Sequence, residues 1–327
     1  MGTASRPADE AMLQYVRHAA AEDGVAPPRR VGADGSAMPR LLIADCRPRA
    51  NALANRATGM GYEIGYEGCD VEFLGIHNIH AVRESHRRLE ALVGATGGGD
   101  ESKWLAAVEE TAWLAHLRTV LAGGIRVARA LQGGHPVLVH CSDGWDRTAQ
   151  VCALAELLLD PYYRTVEGFC VLVCKDWLSF GHRFETRVGH LRASRDSADH
   201  MSPVFLQWLD AVWQLCTQHP RAFAFSPRML LAIAHHLYSC RFGDFLFDCE
   251  GDRSDHGLAE QAPSLWSYLL ARVDVFGNPF YDSGMGVLLP ELSGCLRSVR
   301  LWGDYYLRWS PRPSFPAAGA IVTRRAA

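Results

Sequence analysis

Between the apolar run Pro136–Val139 and the helical run Ala149–Leu159 lies the nonapeptide His140-Cys141-Ser142-Asp143-Gly144-Trp145-Asp146-Arg147-Thr148. No other stretch limits the fold of this chain as tightly. A strand must deliver the backbone to a tight turn and a helix must leave it at once. Successive backbone N–H groups then point inward and meet the positive end of the helix. Such a cradle suits an oxyanion. Cys141 stands at its base, where those N–H groups and the helix dipole stabilise a thiolate nucleophile. Arg147, separated from it by five loop residues, offers a planar fork for two oxygens of a phosphoryl group, gripped hardest as charge spreads in the transition state. The Thr148 hydroxyl is placed to steady the thiolate or the departing thiol. A free cysteine is usually a small buried hydrophobe, and Cys-x5-Arg alone arises by chance. Here the preceding strand, the following helix and each intervening residue agree with the reactive reading. The residues therefore predict cysteine-dependent hydrolysis of a phosphate monoester.

Two carboxylates, Asp143 and Asp146, sit in a loop that must hold a phosphate dianion, which they repel. Proton transfer explains one of them: the leaving oxygen needs an acid, and the water that follows needs a base. Asp146, beside Arg147, is the preferred general acid and Asp143 the second candidate; the other reading of Asp143 is a brace that accepts backbone N–H bonds. Compensating positive charge must come from elsewhere. Arg183 and Arg187 stand four apart and share a face if helical, fit to clamp a second phosphate or the diester alongside His182. Without the motif such a pair is an ordinary solvated surface. Trp145, at the centre of the loop, is placed to pack on neighbouring elements and set the depth of the pocket.

A chain of 327 residues holds one large domain or two smaller ones, and 48% apolar residues with nine tryptophans supply a substantial core. Trp208 and Trp213 are expected in that core. The net charge of −3 gives no global argument for nucleic acid, so any attraction to anionic lipid is local. Ten cysteines lack paired metal spacing: Cys170 and Cys174 read as one helical face, and His235-His236 with Cys240 as core packing. No metal and no cofactor are expected. A reactive thiol without a disulfide framework suits a reducing cytosol. The first twenty residues lack the apolar core of a signal peptide, and no run of about eighteen apolar residues could span a bilayer, which predicts a soluble or at most peripheral protein.

Asp9–Ala21 reads as a short helix, 27–39 as a loop, Leu41–Ala44 as a strand ending at Asp45, and Val71–Ile76 as a second strand. Helical spacing begins at Val82, with Leu89 and Leu92 apolar, and Gly97-Gly98-Gly99 marks a loop. Trp104–Leu131 reads as one long helix bent at Gly123-Gly124, with Leu105, Val108, Leu117 and Val120 as its buried stripe. After Asp160-Pro161 the spacing is helical over Val166–Leu178, Val204–Gln218 and Arg228–Ser239. Strands first and helices afterwards predict an α/β fold with a central sheet. No repeat and no composition break calls for a second domain.

The loop resembles the active-site loop of the myotubularin-related phosphoinositide phosphatases, and the likeness extends well beyond it. Upstream it includes Asp45-Cys46-Arg47-Pro48 with Asn51 and Ala54-Asn55, then Ile76-His77-Asn78-Ile79-His80 and Arg83-Glu84-Ser85. Downstream it includes Leu159–Thr165, Lys175–Phe184, Arg187–His190, Ser202–Trp208, His236–Cys240, Leu265-Trp266, Leu301-Trp302, Tyr305-Tyr306 and Arg308-Trp309. The resemblance implies a fold related to the cysteine-dependent dual-specificity and tyrosine phosphatases, with a central sheet and extra helices. It implies removal of the 3-phosphate from phosphatidylinositol 3-phosphate and phosphatidylinositol 3,5-bisphosphate. The inositol phosphate would be held by Ser142, Asp143, Gly144 and Trp145 of the loop, by Asn55, Asn78 and the backbone of Ile79, and by Arg183 and Arg187. It places a variable segment at 1–39, the catalytic domain at 40–310 and a tail at 311–327. The partners implied are phosphoinositide headgroups at endosomal membranes, in a cytoplasmic, peripheral setting, and a homodimer or a heterodimer with related phosphatases. Most members carry an N-terminal PH-GRAM domain, for which the expected boundaries leave no room, and they also leave none for a coiled-coil or zinc-finger tail. Cys46 after Asp45 and Met60 in a glycine-rich turn depart from the family pattern. Two rival classes are a protein phosphatase for phosphotyrosine or phosphoserine and an inactive adaptor. The presence of Cys141 and Arg147 argues against the adaptor, and a pocket that adds its own arginines argues for a highly anionic headgroup.

Overall fold

Leu41-Leu42-Ile43-Ala44-Asp45 is almost continuously apolar, the pattern of a strand covered on both faces. It forms β1 (Leu41–Asp45), the middle of a three-stranded parallel sheet in the computed structural model, which describes residues 7–22, 39–56, 65–95, 101–190 and 195–309. β2 (Cys69–Phe73) and β3 (Val137–His140) flank it. Leu41 to Asp45 lie opposite Cys69 to Phe73, and Leu42 to Asp45 opposite Val137 to His140. All three strands thus end level. The order β2-β1-β3 means that the chain leaves β1 to one side and returns to the other. The crevice between β1 and β3, at their carboxyl ends, is where open α/β sheets bind ligands.

Helix α1 (Pro7–Glu22) seats Leu13 on Leu41 and Ile43. Helix α2 (Arg49–Arg56) follows β1, and α3 (Ile79–Gly94), α4 (Trp104–Glu110) and α5 (Trp113–Gln132) carry the chain from β2 to β3. The first strand is where the sequence places it. The second begins and ends earlier than Val71–Ile76, although Leu74 and Ile76 still donate to Asp45 O and Cys46 O at 2.8 Å, so the chain keeps to the flank of β1.

The long helix expected over Trp104–Leu131 breaks at Ala112, in the left-handed region at φ 64°, and runs unbroken through Gly123-Gly124. Thr111 Oγ1 donates to Val108 O and accepts from Trp113 N, closing one helix and opening the next. The glycines serve packing. A Cβ on Gly124 would lie 2.6 Å from Leu154 Cβ, so only glycine lets α5 approach α6 (Arg147–Leu159) this closely. Val108, Leu117 and Val120 are buried as expected, but Leu105 is 77% exposed because α4 stops before its stripe joins that of α5.

Helix α7 (Val166–Val173) gives way to a π turn at Cys174–Ser179, so the segment expected as one helix over Val166–Leu178 changes its hydrogen bonding halfway. There follow α8 (Phe184–Val188), α9 (Arg195–His200), α10 (Val204–Gln218), α11 (Pro227–Ser239) and short helices from Glu250 to Tyr306. Trp208 and Trp213 are buried as expected. His236 is only half-buried, edge-on to Phe242 and Tyr268, while His235 and Cys240 are exposed. This corrects their assignment to the core: they sit on the outward side of the last turns of α11, where Cys240 caps the helix at φ 52°. Within the core, Asp210 accepts from Trp113 Nε1 at 2.9 Å and Gln214 Nε2 at 2.8 Å. Burial pushes its carboxyl up to about 7, against the pull of those two hydrogen bonds. The segments 27–38 and 97–99, expected as loops, and Met60 lie outside the described residues.

Candidate active site

β3 ends at His140, and Cys141 opens the loop with 6% of its surface exposed. Gly144 takes φ 94°, a conformation open to glycine and strained for other residues, and this turn brings its N–H to Cys141 Sγ at 3.3 Å. Arg147 begins α6. Its guanidinium lies across the loop, donating to Ser142 Oγ at 3.1 Å and to Ile76 O, beyond β2, at 3.4 Å. Thr148 Oγ1 is buried with no partner among the described residues. A sulfur, an inward N–H, a helix N-terminus and a guanidinium therefore meet where the β1–β3 crevice opens.

Asp146 occupies the N-cap position of α6 without capping it. Its side chain turns inward to Arg187, whose Nε donates to Oδ1 at 3.2 Å and NH2 to Oδ2 at 2.8 Å. Arg187 NH1 also donates to His200 O at 2.9 Å. His182 is fully buried; its Nδ1 lies 2.9 Å from Trp145 O and 3.1 Å from Asp146 Oδ1. Both neighbours accept, so Nδ1 carries the proton. The ring is held edge-on by Trp177 at 4.8 Å and Phe184 at 4.7 Å. Burial by itself would raise the Asp146 carboxyl, but His182 and Arg187 together hold it far below the usual carboxylate range. Asp146 at rest is an ionised brace. Asp143 is exposed on the outer turn of the same loop.

The arginine pair is not the shared open face that its spacing predicts. Arg183 precedes α8, half-exposed, 3.4 Å from Asp248 and 5.8 Å from the ring of Trp145, whereas Arg187 is buried on Asp146. Arg183 is the N-cap of α8 and its carbonyl accepts from Arg187 N at 2.8 Å, yet the two side chains go to different partners, Arg183 to Asp248 and Arg187 to Asp146. Asn78 caps α3, accepting from Ala81 N at 3.1 Å, and Ile79 O accepts from Ser202 Oγ at 2.9 Å. Both follow closely on Ile76, the residue whose carbonyl Arg147 touches. Asn55 lies on α2, and its side chain falls outside the described ones.

Two groups have roles that the sequence reading did not give them. Asp45 and Arg47, buried at the end of β1, form a bidentate pair at 2.8–3.2 Å. His140 lies between them and the loop, its Nδ1 3.2 Å from Cys141 O and its Nε2 4.0 Å from Asp45 Oδ2, too far for a hydrogen bond. His182 is the other: its contact with residues 145 and 146 is long-range, and its adjacency to Arg183 was the only local hint. Among the described residues no group of His, Cys, Asp and Glu is placed to hold a metal ion, and no helix is long and apolar enough to cross a membrane.

A parallel strand, a buried cysteine that accepts one loop N–H and an arginine at the head of the next helix thus come together at the carboxyl end of the sheet. The myotubularin-like phosphatase domain matches residues 1–254, and the chain belongs to that family. It is 49% identical over 277 residues to the myotubularins of Xenopus laevis and Rattus norvegicus, covering 84% of this chain and 45% of each of those proteins. It is equally similar, 49% over 277 residues, to the phosphatidylinositol-3,5-bisphosphate 3-phosphatase MTMR2 of Mus musculus, covering 84% of this chain and 42% of that one. The chain thus spans less than half the length of these curated relatives. The family match begins at residue 1, inside the segment expected to be variable.

Proposed function

We propose that the chain is a phosphoinositide 3-phosphatase that works through a cysteinyl-phosphate, acting on phosphatidylinositol 3-phosphate and phosphatidylinositol 3,5-bisphosphate. The observation that carries this reading is the loop itself: Gly144 N–H on Cys141 Sγ, with Arg147 spanning the mouth from Ser142 to Ile76. The activity for which the MTMR2 relatives are named supports the substrate class. On this reading, the region 40–310 is a phosphatase domain of the dual-specificity type, enlarged by helices, that meets its lipid at a membrane surface.

Cys141 Sγ attacks phosphorus, and Arg147 turns its fork from Ser142 to the equatorial oxygens. The P–O bond to inositol breaks, and the leaving oxygen takes a proton from Asp146. The same carboxylate then deprotonates the water that cleaves the S–P bond. Asp146 must first acquire a proton, which its pairing with His182 and Arg187 opposes. An anionic headgroup supplies the change: it attracts Arg187 away and adds negative charge beside the carboxylate, both of which raise its pKa. Arg183, half-exposed above Trp145 and 3.4 Å from Asp248, is placed to exchange that carboxylate for a second phosphate. Asp143 is the second reading for the acid, favoured by its exposure on the loop.

Phosphate release from short-chain phosphatidylinositol 3-phosphate, phosphatidylinositol 4-phosphate and a phosphotyrosine peptide tests the assignment, with Cys141→Ser as the inactive control. The 3-phosphate lipid is expected to turn over fastest. Faster turnover of the peptide would replace the lipid reading with a protein phosphatase, and no turnover would favour an adaptor. Asp146→Asn is expected to lower kcat by about 10²–10⁴-fold, and an equal loss confined to Asp143→Asn would move the acid there.

A further inference from the structure

Cys46 departs from the family pattern, and the structure places it directly beside the loop. β1 and β3 pair up to Asp45 opposite His140, and the ladder continues one step, with Cys46 N–H donating to His140 O at 2.8 Å. Cys46 and Cys141 are therefore level on adjacent parallel segments. At such positions side chains leave the same face and backbones lie about 5 Å apart. A disulfide spans Cα separations of roughly 4.4–6.8 Å. Both thiols are free, both belong to one packed cluster, and the charge of Cys141 acts on Cys46. Cys46 is wholly buried, whereas Cys141 retains a small opening at the mouth.

We propose that Cys46 is the resolving thiol for Cys141: once a peroxide has oxidised Cys141, the two close a disulfide beneath the loop and withdraw the nucleophile reversibly. In the first step the Cys141 thiolate attacks one oxygen of hydrogen peroxide and the O–O bond breaks. Sulfur loses two electrons and becomes a sulfenic acid, and the peroxide leaves as hydroxide, protonated by solvent to water. In the second step Cys46 sulfur attacks Cys141 sulfur, the S–O bond breaks, and the departing hydroxide takes the Cys46 proton as water. A dithiol reverses the bridge. Burial, joined by the neighbouring Cys141 and Cys152, keeps the Cys46 thiol well above its ordinary range despite Arg147. At rest it is therefore protonated and inert to solvent, and only a sulfur held against it engages it. Cys152, partly buried on α6 and also within the field of Cys141, is the rival partner.

The test treats the whole chain with hydrogen peroxide, quenches with an alkylating agent and maps peptides without reduction. The expected product is a Cys46–Cys141 cross-linked peptide, with alkylation of Cys141 blocked until dithiothreitol restores it. In Cys46→Ala and Cys46→Ser the same dose is expected to drive Cys141 to sulfinic acid, so that dithiothreitol restores at least several-fold less alkylatable Cys141 than in the wild type. A bridge from Cys141 to Cys152, or sulfinic acid accumulating as fast in the wild type as in the two variants, would overturn the proposal. These readouts are thiol masses and do not depend on which phosphate ester the enzyme prefers.

Discussion

Asp146 and Arg187 are 41 positions apart in sequence, yet each is the principal charged partner of the other in a nearly dry site. Removing one member of such a pair strands a charge. Arg187→Met is therefore expected to cost about 3–5 kcal/mol, read as a fall in the urea midpoint at pH 7. Adding Asp146→Asn to that variant should recover a large part of the loss, and failure to recover would mean that Arg187 acts mainly through His200. Gly144→Ala tests the loop in another way. Nothing crowds its Cβ, so the cost is backbone strain of about 1–3 kcal/mol, with the N–H turned off the sulfur. Slower alkylation of Cys141 at neutral pH is the expected readout; an unchanged rate would show that this N–H does not matter to the thiolate. Residue types and spacing mark Cys141, Arg147 and the two loop carboxylates as candidates from the sequence alone. The direction in which Asp146 points was not readable, because it depends on a helix that returns from elsewhere in the chain.

Local pattern identifies an element when its ends carry their own signals. α10 was readable to both ends because its apolar face starts after Pro203 and stops before His219. α5 departs from the bend that its glycine pair predicts because glycine ordinarily weakens a helix, and the sequence does not show the neighbour that demands it. Gly124→Val is expected to push α6 away through Leu154 and destabilise the fold by about 1–3 kcal/mol, measurable by denaturation. Loss below 0.5 kcal/mol would mean that the contact relaxes freely. The break at Ala112 was hidden for the opposite reason: Thr111 and Ala112 carry no breaker, and the left-handed turn is imposed by how α4 and α5 pack.

At the scale of the whole molecule, one acid–base liability lies in the core, away from the loop. Asp210 is protonated in the fold up to about pH 7, whereas in the unfolded chain it ionises near 4. Between those values the unfolded state releases its proton first, so this group makes stability fall as pH rises from about 4 to about 7, with no further change above. Burial lowers His86 and His116 to about 4, and these act in the opposite direction. The test is therefore the difference between two proteins: from pH 5 to pH 8 the stability of the wild type relative to Asp210→Asn, read from denaturation curves, should fall by on the order of a few kcal/mol. A wild-type slope identical to that of the variant would refute the assignment.

The wide turn at Cys174–Ser179 closes its hydrogen bonds over one more residue than an ordinary helix. It thereby acts as a spacer that decides which side of the following segment meets residues 145 and 146. Excising a single amino acid there would let the coil tighten and rotate the imidazole of His182 out of reach. The protein would then lose the alignment of its loop while every group in the Cys-x5-Arg signature remained intact.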